Sequence, residues 1–388
     1  MDIPQLRQEP KKRLRVLAVF GTRPEAIKMA PVVRELARHP DLVEPQVCVT
    51  AQHRELLDQV LNLFDIRPDI DLDLMRPGQT LPALTARVLT GMTHVLARQR
   101  PDWVLIQGDT TTVLATALAA FYLKIPVGHV EAGLRTSDRY FPFPEEINRR
   151  LVGALATYHF APTPRARMAL LSEGVDPESI FVTGNTVVDA LYWILGRPPS
   201  PEAQALLARV KRSQQKLILV TAHRRESFGE PFIEICQGLR AVVDRNPEVM
   251  LVYPVHPNPN VRKPVKRFLS GHERILLLEP LSYEPFVRLM QACYLVLTDS
   301  GGLQEEAPVL GKPVLVLRSR TERPEAVEAG VARLIGTSKE RIVNEVERLL
   351  HDEGVYQAMA KAGSLFGDGH AAERIVRILL EGTSDESR

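Results

Sequence analysis

Six short loops, each following an apolar run, carry polar or ionisable groups. They are Gly21-Thr22-Arg23-Pro24-Glu25, Gly108-Asp109-Thr110, Glu131-Ala132-Gly133, Ala222-His223-Arg224-Arg225-Glu226, His256-Pro257-Asn258 and Asp299-Ser300-Gly301-Gly302. Gly and Asp are ordinary turn residues, so one such loop would carry little information; six in corresponding positions carry more. Carboxylates of this kind (Asp109, Glu131 and the pair Glu145/Glu146) suit proton transfer when their surroundings set their pKa values apart. Glu145/Glu146 also follow Pro142-Phe143-Pro144 and read equally as a helix N-terminus, where acids complement the dipole. Arg23 and Lys28 flank the first loop, and Arg318, Arg320 and Arg323 follow Val314–Leu317; such cations suit a diphosphate, although any of the arginines can instead be solvated. His223 beside Arg224 suits a donor to phosphate oxygens, although a lone histidine is more often structural. Ser300, Gly301 and Gly302 open a segment whose backbone N–H groups suit phosphate, with Glu306 one turn on, where a carboxylate reaches ribose hydroxyls; the rival is a plain Ser/Gly helix start.

The elements that must hold these loops follow from the hydrophobic pattern. Short β-branched runs, most followed by a turn and a segment of helical period, predict strands at 14–20, 46–50, 103–107, 127–130, 158–161 and 180–182. A second series falls at 217–221, 249–253, 275–278, 295–298 and 314–317. Such βα alternation is that of parallel sheets, so the expected fold is α/β with two Rossmann-like domains whose strand-end loops face a cleft. The expected divisions are a polar tail 1–13, a first domain 14–185, a second 186–368 and a C-terminal helix 369–388 returning to the first. The Pro-rich stretch 195–201 has the composition of a linker near the boundary.

Composition limits the chemistry. The 388 residues carry 49 Lys+Arg against 47 Asp+Glu, a net charge of +2, so no chain-wide basic field exists to hold nucleic acid. The N-terminus lacks an apolar core stretch and no run is long and apolar enough to span a bilayer, which leads to the expectation of a cytoplasmic protein without a membrane partner. Cys48, Cys236 and Cys293 are widely spaced and read as buried thiols. Neither Gly-x-Gly-x-x-Gly nor the P-loop motif occurs, metal-ligand spacing is missing, and so is a Gly-x-Ser-x-Gly elbow. No cofactor and no metal are expected.

Longer blocks then carry a resemblance. Phe20-Gly21-Thr22-Arg23-Pro24-Glu25-Ala26-Ile27-Lys28-Met29-Ala30-Pro31 resembles the opening motif of the non-hydrolysing UDP-N-acetylglucosamine 2-epimerases of bacteria. Thr50-Ala51-Gln52-His53-Arg54-Glu55, Gly128-His129-Val130-Glu131-Ala132-Gly133, Pro144-Glu145-Glu146-Ile147-Asn148-Arg149, Gly184-Asn185-Thr186, His223-Arg224-Arg225-Glu226-Ser227-Phe228 and Thr321-Glu322-Arg323-Pro324-Glu325-Ala326 follow in order. The resemblance spans about residues 16–369. It implies a GT-B glycosyltransferase-like architecture and an isomerase that interconverts UDP-GlcNAc and UDP-ManNAc. A base removes the C2 proton, UDP departs from C1, and UDP re-adds to 2-acetamidoglucal after reprotonation on the opposite face. It implies a homodimer that supplies ManNAc for cell-envelope polysaccharide. By motif, Asp109, Glu131 and Glu145 resemble the catalytic carboxylates, their division between the faces of C2 remaining open, and His223 the group assisting the departing diphosphate. Arg23, Lys28, Arg149, Ser300, Gly301, Gly302 and Arg323 resemble phosphate or sugar ligands, Glu306 the ribose ligand and Phe286 the uracil contact, with core packing as the rival for Phe286. Gln52, Arg224 and His256 resemble a second, activating UDP-GlcNAc site. The chain departs from the pattern at Leu281, where a uracil-contacting Gln is often found, and at Glu55 and Gly78, which replace a Gln and an Arg of that second site.

The rival readings are a GT-B glycosyltransferase using a UDP-sugar donor, a hydrolysing epimerase, and a UDP-sugar sensor without turnover. Turnover without an acceptor, the identity of the product, and binding retained in an inactive Asp109→Asn variant separate them.

Overall fold

The apolar run Leu14–Phe20 forms strand β1, buried from Val16 onward, because helices cover both faces of a parallel sheet and leave no wet side to alternate toward. The structure is a computed structural model and describes residues 13–50, 54–74, 76, 78–211, 214–361, 363 and 365–385. Gln52 lies outside the described residues.

The chain divides into two compact units, one comprising 1–186 with 370–388 and the other 187–369. In the first, β1 joins β2 (Val43–Val49), β3 (Ile70–Asp71), β4 (Trp103–Gln107), β5 (Val127–Val130), β6 (Tyr158–Ala161) and β7 (Ile180–Val182) in the order β3-β2-β1-β4-β5-β6-β7. In the second, β8 (Lys216–Thr221), β9 (Val249–Pro254), β10 (Ile275–Leu278), β11 (Leu295–Thr298), β12 (Val314–Val316) and β13 (Ala332–Leu334) take the order β10-β9-β8-β11-β12-β13. All these pairings are parallel. The fold is thus α/β with two Rossmann-like sheets. In each, the strand order reverses between adjacent strands, at β1/β4 and at β8/β11, and open α/β sheets bind ligands beyond the strand ends at such a switch point. The loops at these points are Gly21–Glu25 with Gly108–Thr110, and Ala222–Glu226 with Asp299–Gly302.

The first core sets Leu17, Val19, Val104 and Ile106 against Val88, Met92 and Leu96 of the helix Leu81–Gln99 and the alanines 115, 117, 119 and 120 of the helix Thr111–Tyr122. In the second, Ile218, Val220, Leu251, Leu297 and Leu315 meet Ile235, Leu239 and Val242 of the helix Glu230–Arg245 and Ile342, Val346 and Leu349 of the helix Lys339–His351. Cys48, Cys236 and Cys293 are free and buried, and burial pushes each thiol up to about 12. Among the described residues no helix is long and apolar enough to cross a membrane.

Three expectations differ from the structure. β3 and β13 are edge strands of two and three residues, too short to show a pattern. β2 begins at Val43 rather than at 46: Pro45 argues against a central strand, but β3 pairs only Cys48 and Val49, so Pro45 sits where β2 is an edge. The Pro-rich stretch 195–201 is not the divide. It joins the helices Thr186–Leu195 and Pro201–Lys211 and is fastened within the second unit. There Ser200 Oγ donates to Glu284 at 2.6 Å, and Arg288 Nη2 donates to the carbonyls of Ile194, at 2.8 Å, and Arg197. The last helix, Ala371–Asp385, belongs to the first unit, where it packs on the helix Arg23–Ala37 and Arg374 donates to the Thr183 carbonyl at 3.0 Å.

Candidate active site

In the first unit, β1 turns into the helix Arg23–Ala37 through a capping box: Thr22 Oγ1 accepts from Glu25 N, and Glu25 accepts from Gly21 N and Thr22 N at 2.8 and 2.7 Å. Thr110 Oγ1, which caps the helix after β4, donates to the same Glu25 at 2.5 Å, so one buried carboxylate ties the two switch-point loops together. Burial raises the Glu25 pKa against these hydrogen bonds. A Cβ at Gly21 would stand 2.1 Å from Thr50 Oγ1, so a side chain there would displace Thr50.

Glu131 follows β5 with φ +64°, a left-handed conformation that costs a non-glycine residue about 1–3 kcal/mol unless its surroundings enforce it. They do. Its carboxylate accepts from Lys28 Nζ at 2.5 Å, from Asn185 Nδ2 at 3.0 Å and from Gln107 Nε2. Gly108, also left-handed at φ +81°, would bring a Cβ to 3.8 Å from Glu131. Asp109 Oδ2 accepts from Arg149 Nε and Nη2 at 2.8 and 2.6 Å, and Asn148 donates to the Asp109 carbonyl at 2.8 Å, so the helix Glu145–Leu155 locks the loop after β4. Of the two acids opening that helix, Glu146 is wholly buried between Thr136 N, Arg149 and Arg150, whereas Glu145 is half-buried. Arg23 is half-buried at the first position of its helix. His129 meets the Gly108 carbonyl through Nε2 at 2.7 Å, and burial lowers its pKa to about 4, so the ring is a neutral donor there.

In the second unit the signs are arranged differently. Asp299, fully buried after β11, accepts through Oδ2 from the backbone N–H of His223 at 2.6 Å and of Arg224 at 2.7 Å, and its Oδ1 lies 3.5 Å from His223 Nδ1. The exposed His256 ring stacks on His223 at 5.3 Å and 13°. Arg224 is half-buried. Ser300 N donates to Thr298 Oγ1 at 2.9 Å, and the helix that Gly301 and Gly302 open is only seven residues long, Leu303–Val309. Glu306 accepts from Tyr283 Oη at 2.7 Å, and Phe286 is half-buried on Tyr283's own helix. Arg323, read as a phosphate or sugar ligand, is buried against Glu305, and Arg318 is buried against Glu226 at 2.6 Å and Glu322 at 3.6 Å; Arg320 is exposed.

The structure therefore groups Lys28, Asp109, Glu131 and Arg149 in one unit and His223, Arg224 and His256 in the other. It adds Gln107, Asn185, Asp299 and Tyr283, which sequence reasoning left without roles. Gln107 ends a strand and Asp299 directly follows one, and that position was the available signal. Among the described residues no group of three His, Cys, Asp or Glu side chains is placed to hold a metal.

A chain of two such Rossmann-like units has the α/β fold class of GT-B-like proteins. Residues 34–380 match the family profile of UDP-N-acetylglucosamine 2-epimerase. A UDP-N-acetylglucosamine 2-epimerase of Salmonella typhimurium is 58% identical over 370 residues, covering 94% of this chain and 98% of its own. The Neisseria meningitidis UDP-GlcNAc 2-epimerase, solved bound to UDP-GlcNAc, is similar with a TM-score of 0.87 and 48% identity over 95% of this chain and 100% of its own. That of Methanocaldococcus jannaschii, solved with UDP-GlcNAc and UDP, gives 0.80 and 36% over 94% and 99%. The chain belongs to the UDP-N-acetylglucosamine 2-epimerase family and is an isomerase.

Proposed function

We propose that this enzyme interconverts UDP-GlcNAc and UDP-ManNAc without net hydrolysis, by elimination of UDP to 2-acetamidoglucal and re-addition. The observation that carries the reading is the clamp on Glu131: a carboxylate forced into a left-handed backbone and held by Lys28, Gln107 and Asn185, one strand from the Asp109–Arg149 pair. Proton removal from C2 and its return need positioned carboxylates, supplied by Glu131, Asp109 and Glu145. Departure of a diphosphate needs a donor where charge develops, supplied by His223. Arg23, Ser300, Gly301 and Gly302 serve the phosphates and sugar, Glu306 the ribose and Phe286 the uracil, with Lys28, Arg149 and Arg323 acting through the carboxylates they hold. The active form is a homodimer in the cytoplasm, feeding ManNAc to cell-surface polysaccharide, with a second UDP-GlcNAc bound near Arg224 and His256.

Proton NMR of the protein with UDP-GlcNAc alone in deuterated buffer tests the reaction. UDP-ManNAc bearing deuterium at C2 is expected. Free ManNAc as the product would point to the hydrolysing reaction, and turnover only after an acceptor is added would point to a glycosyltransferase.

A further inference from the structure

We propose that Asp299 is a positioning residue that fixes the orientation and tautomer of His223, a role that rests on the reading of His223 as the group assisting the departing diphosphate. The two oxygens of this carboxylate do different things. Oδ2 fastens the loop after β8 by accepting the consecutive backbone N–H groups of His223 and Arg224. Oδ1 is buried, accepts no hydrogen bond among the described residues, and stands 3.5 Å from His223 Nδ1. A carboxylate that only pinned the loop would need one oxygen. The second is aimed at the ring, and a closer approach of Nδ1–H would satisfy it, since such hydrogen bonds are often long until the ligand is bound. His256, stacked on the ring's face, restrains its plane without competing for Nδ1.

The consequence for the ring follows from its two nitrogens. With Nδ1–H directed at Asp299, Nε2 is the nitrogen left for a ligand, and when the ring carries both protons it is Nε2–H that faces a phosphate oxygen. This is the relation of a base to its orienting acid, in which the acid itself does not exchange a proton with substrate. The substitution Asp299→Asn is informative because its carbonyl oxygen can still accept the two backbone N–H groups. Its amide N–H₂ then faces Nδ1, requires a bare nitrogen there, and moves the ring proton to Nε2.

The test uses the full chain labelled with 15N-histidine, His223 being assigned by the signals lost in His223→Gln. In the wild type the neutral His223 ring is expected to carry its proton on Nδ1; in Asp299→Asn it is expected on Nε2. Epimerisation by Asp299→Asn should fall about 10- to 100-fold in kcat with KM changed by less than about threefold, because the loop and its ligands stay in place. A wild-type ring protonated on Nε2 would overturn the proposal, as would an Asp299→Asn variant with unaltered ring signals and unaltered kcat. Should the variant fail to fold, the wild-type spectrum still decides. A wild-type protein that makes no UDP-ManNAc would remove the epimerase reading, while the ring tautomer would continue to report on Asp299.

Discussion

The two switch points invert one another. In the first unit the Asp109 carboxylate is 24% exposed and its partner Arg149 only 8%, so the acid is the accessible member and the cation stands behind it. In the second, His223 is 38% exposed and its partner Asp299 is wholly buried, so the acid stands behind the base. The same strand order and the same loop positions thus present opposite chemistry, and the supporting side chain decides which. Fold alone does not assign function; the grafted groups and their backing do.

The sharpest way to break this comparison is Glu131→Gln. If the first unit supplies the proton-transferring acids, turnover should fall about 10²- to 10⁴-fold, as for loss of a general acid or base, with UDP still bound. A loss under tenfold in a C2 deuterium-exchange assay would dissolve the division of labour. A second expectation concerns acid. His129 and His159 are buried in β5 and β6, and burial is the main cause that lowers each pKa from 6.5 to about 4. The folded rings stay neutral while an unfolded chain takes up protons below about pH 6.5, so their contribution is complete above that pH and is lost as pH falls toward 4, by on the order of 3 kcal/mol at most per ring. Amide protection factors, corrected for intrinsic exchange, should therefore drop in β5 and β6 between pH 6.5 and 4.5 more than in β8 and β9. An equal drop in both sheets would count against it. The smallest effect is expected from Tyr283→Phe, which removes the hydroxyl from the buried Glu306 and should lower the urea stability of the second unit by about 1–2 kcal/mol.

Much of this was visible in the residues alone. β4 is a plain apolar run closed by Gln107, and Asp109 and Glu131 each stand just beyond such a run. Spacing could not show what meets across strands. Asn185 lies 54 positions from Glu131, and Asp299 lies 76 from His223; these contacts exist only once the sheets have ordered their strands. The burial of Arg323 and Arg318 was equally out of reach, because an arginine destined for a buried pair looks the same in sequence as a solvated one.

The return of the last helix to the first unit bears on biosynthesis. The second unit is contiguous from 187 to 369, and all of its chain has been made before the helix Ala371–Asp385 leaves the ribosome. The first unit, although it begins the chain, must wait for that helix to cover Arg23–Ala37 and for Arg374 to reach Thr183, 191 positions upstream. The N-terminal half is therefore the last to be completed, an exception to the usual order in which domains fold as they emerge.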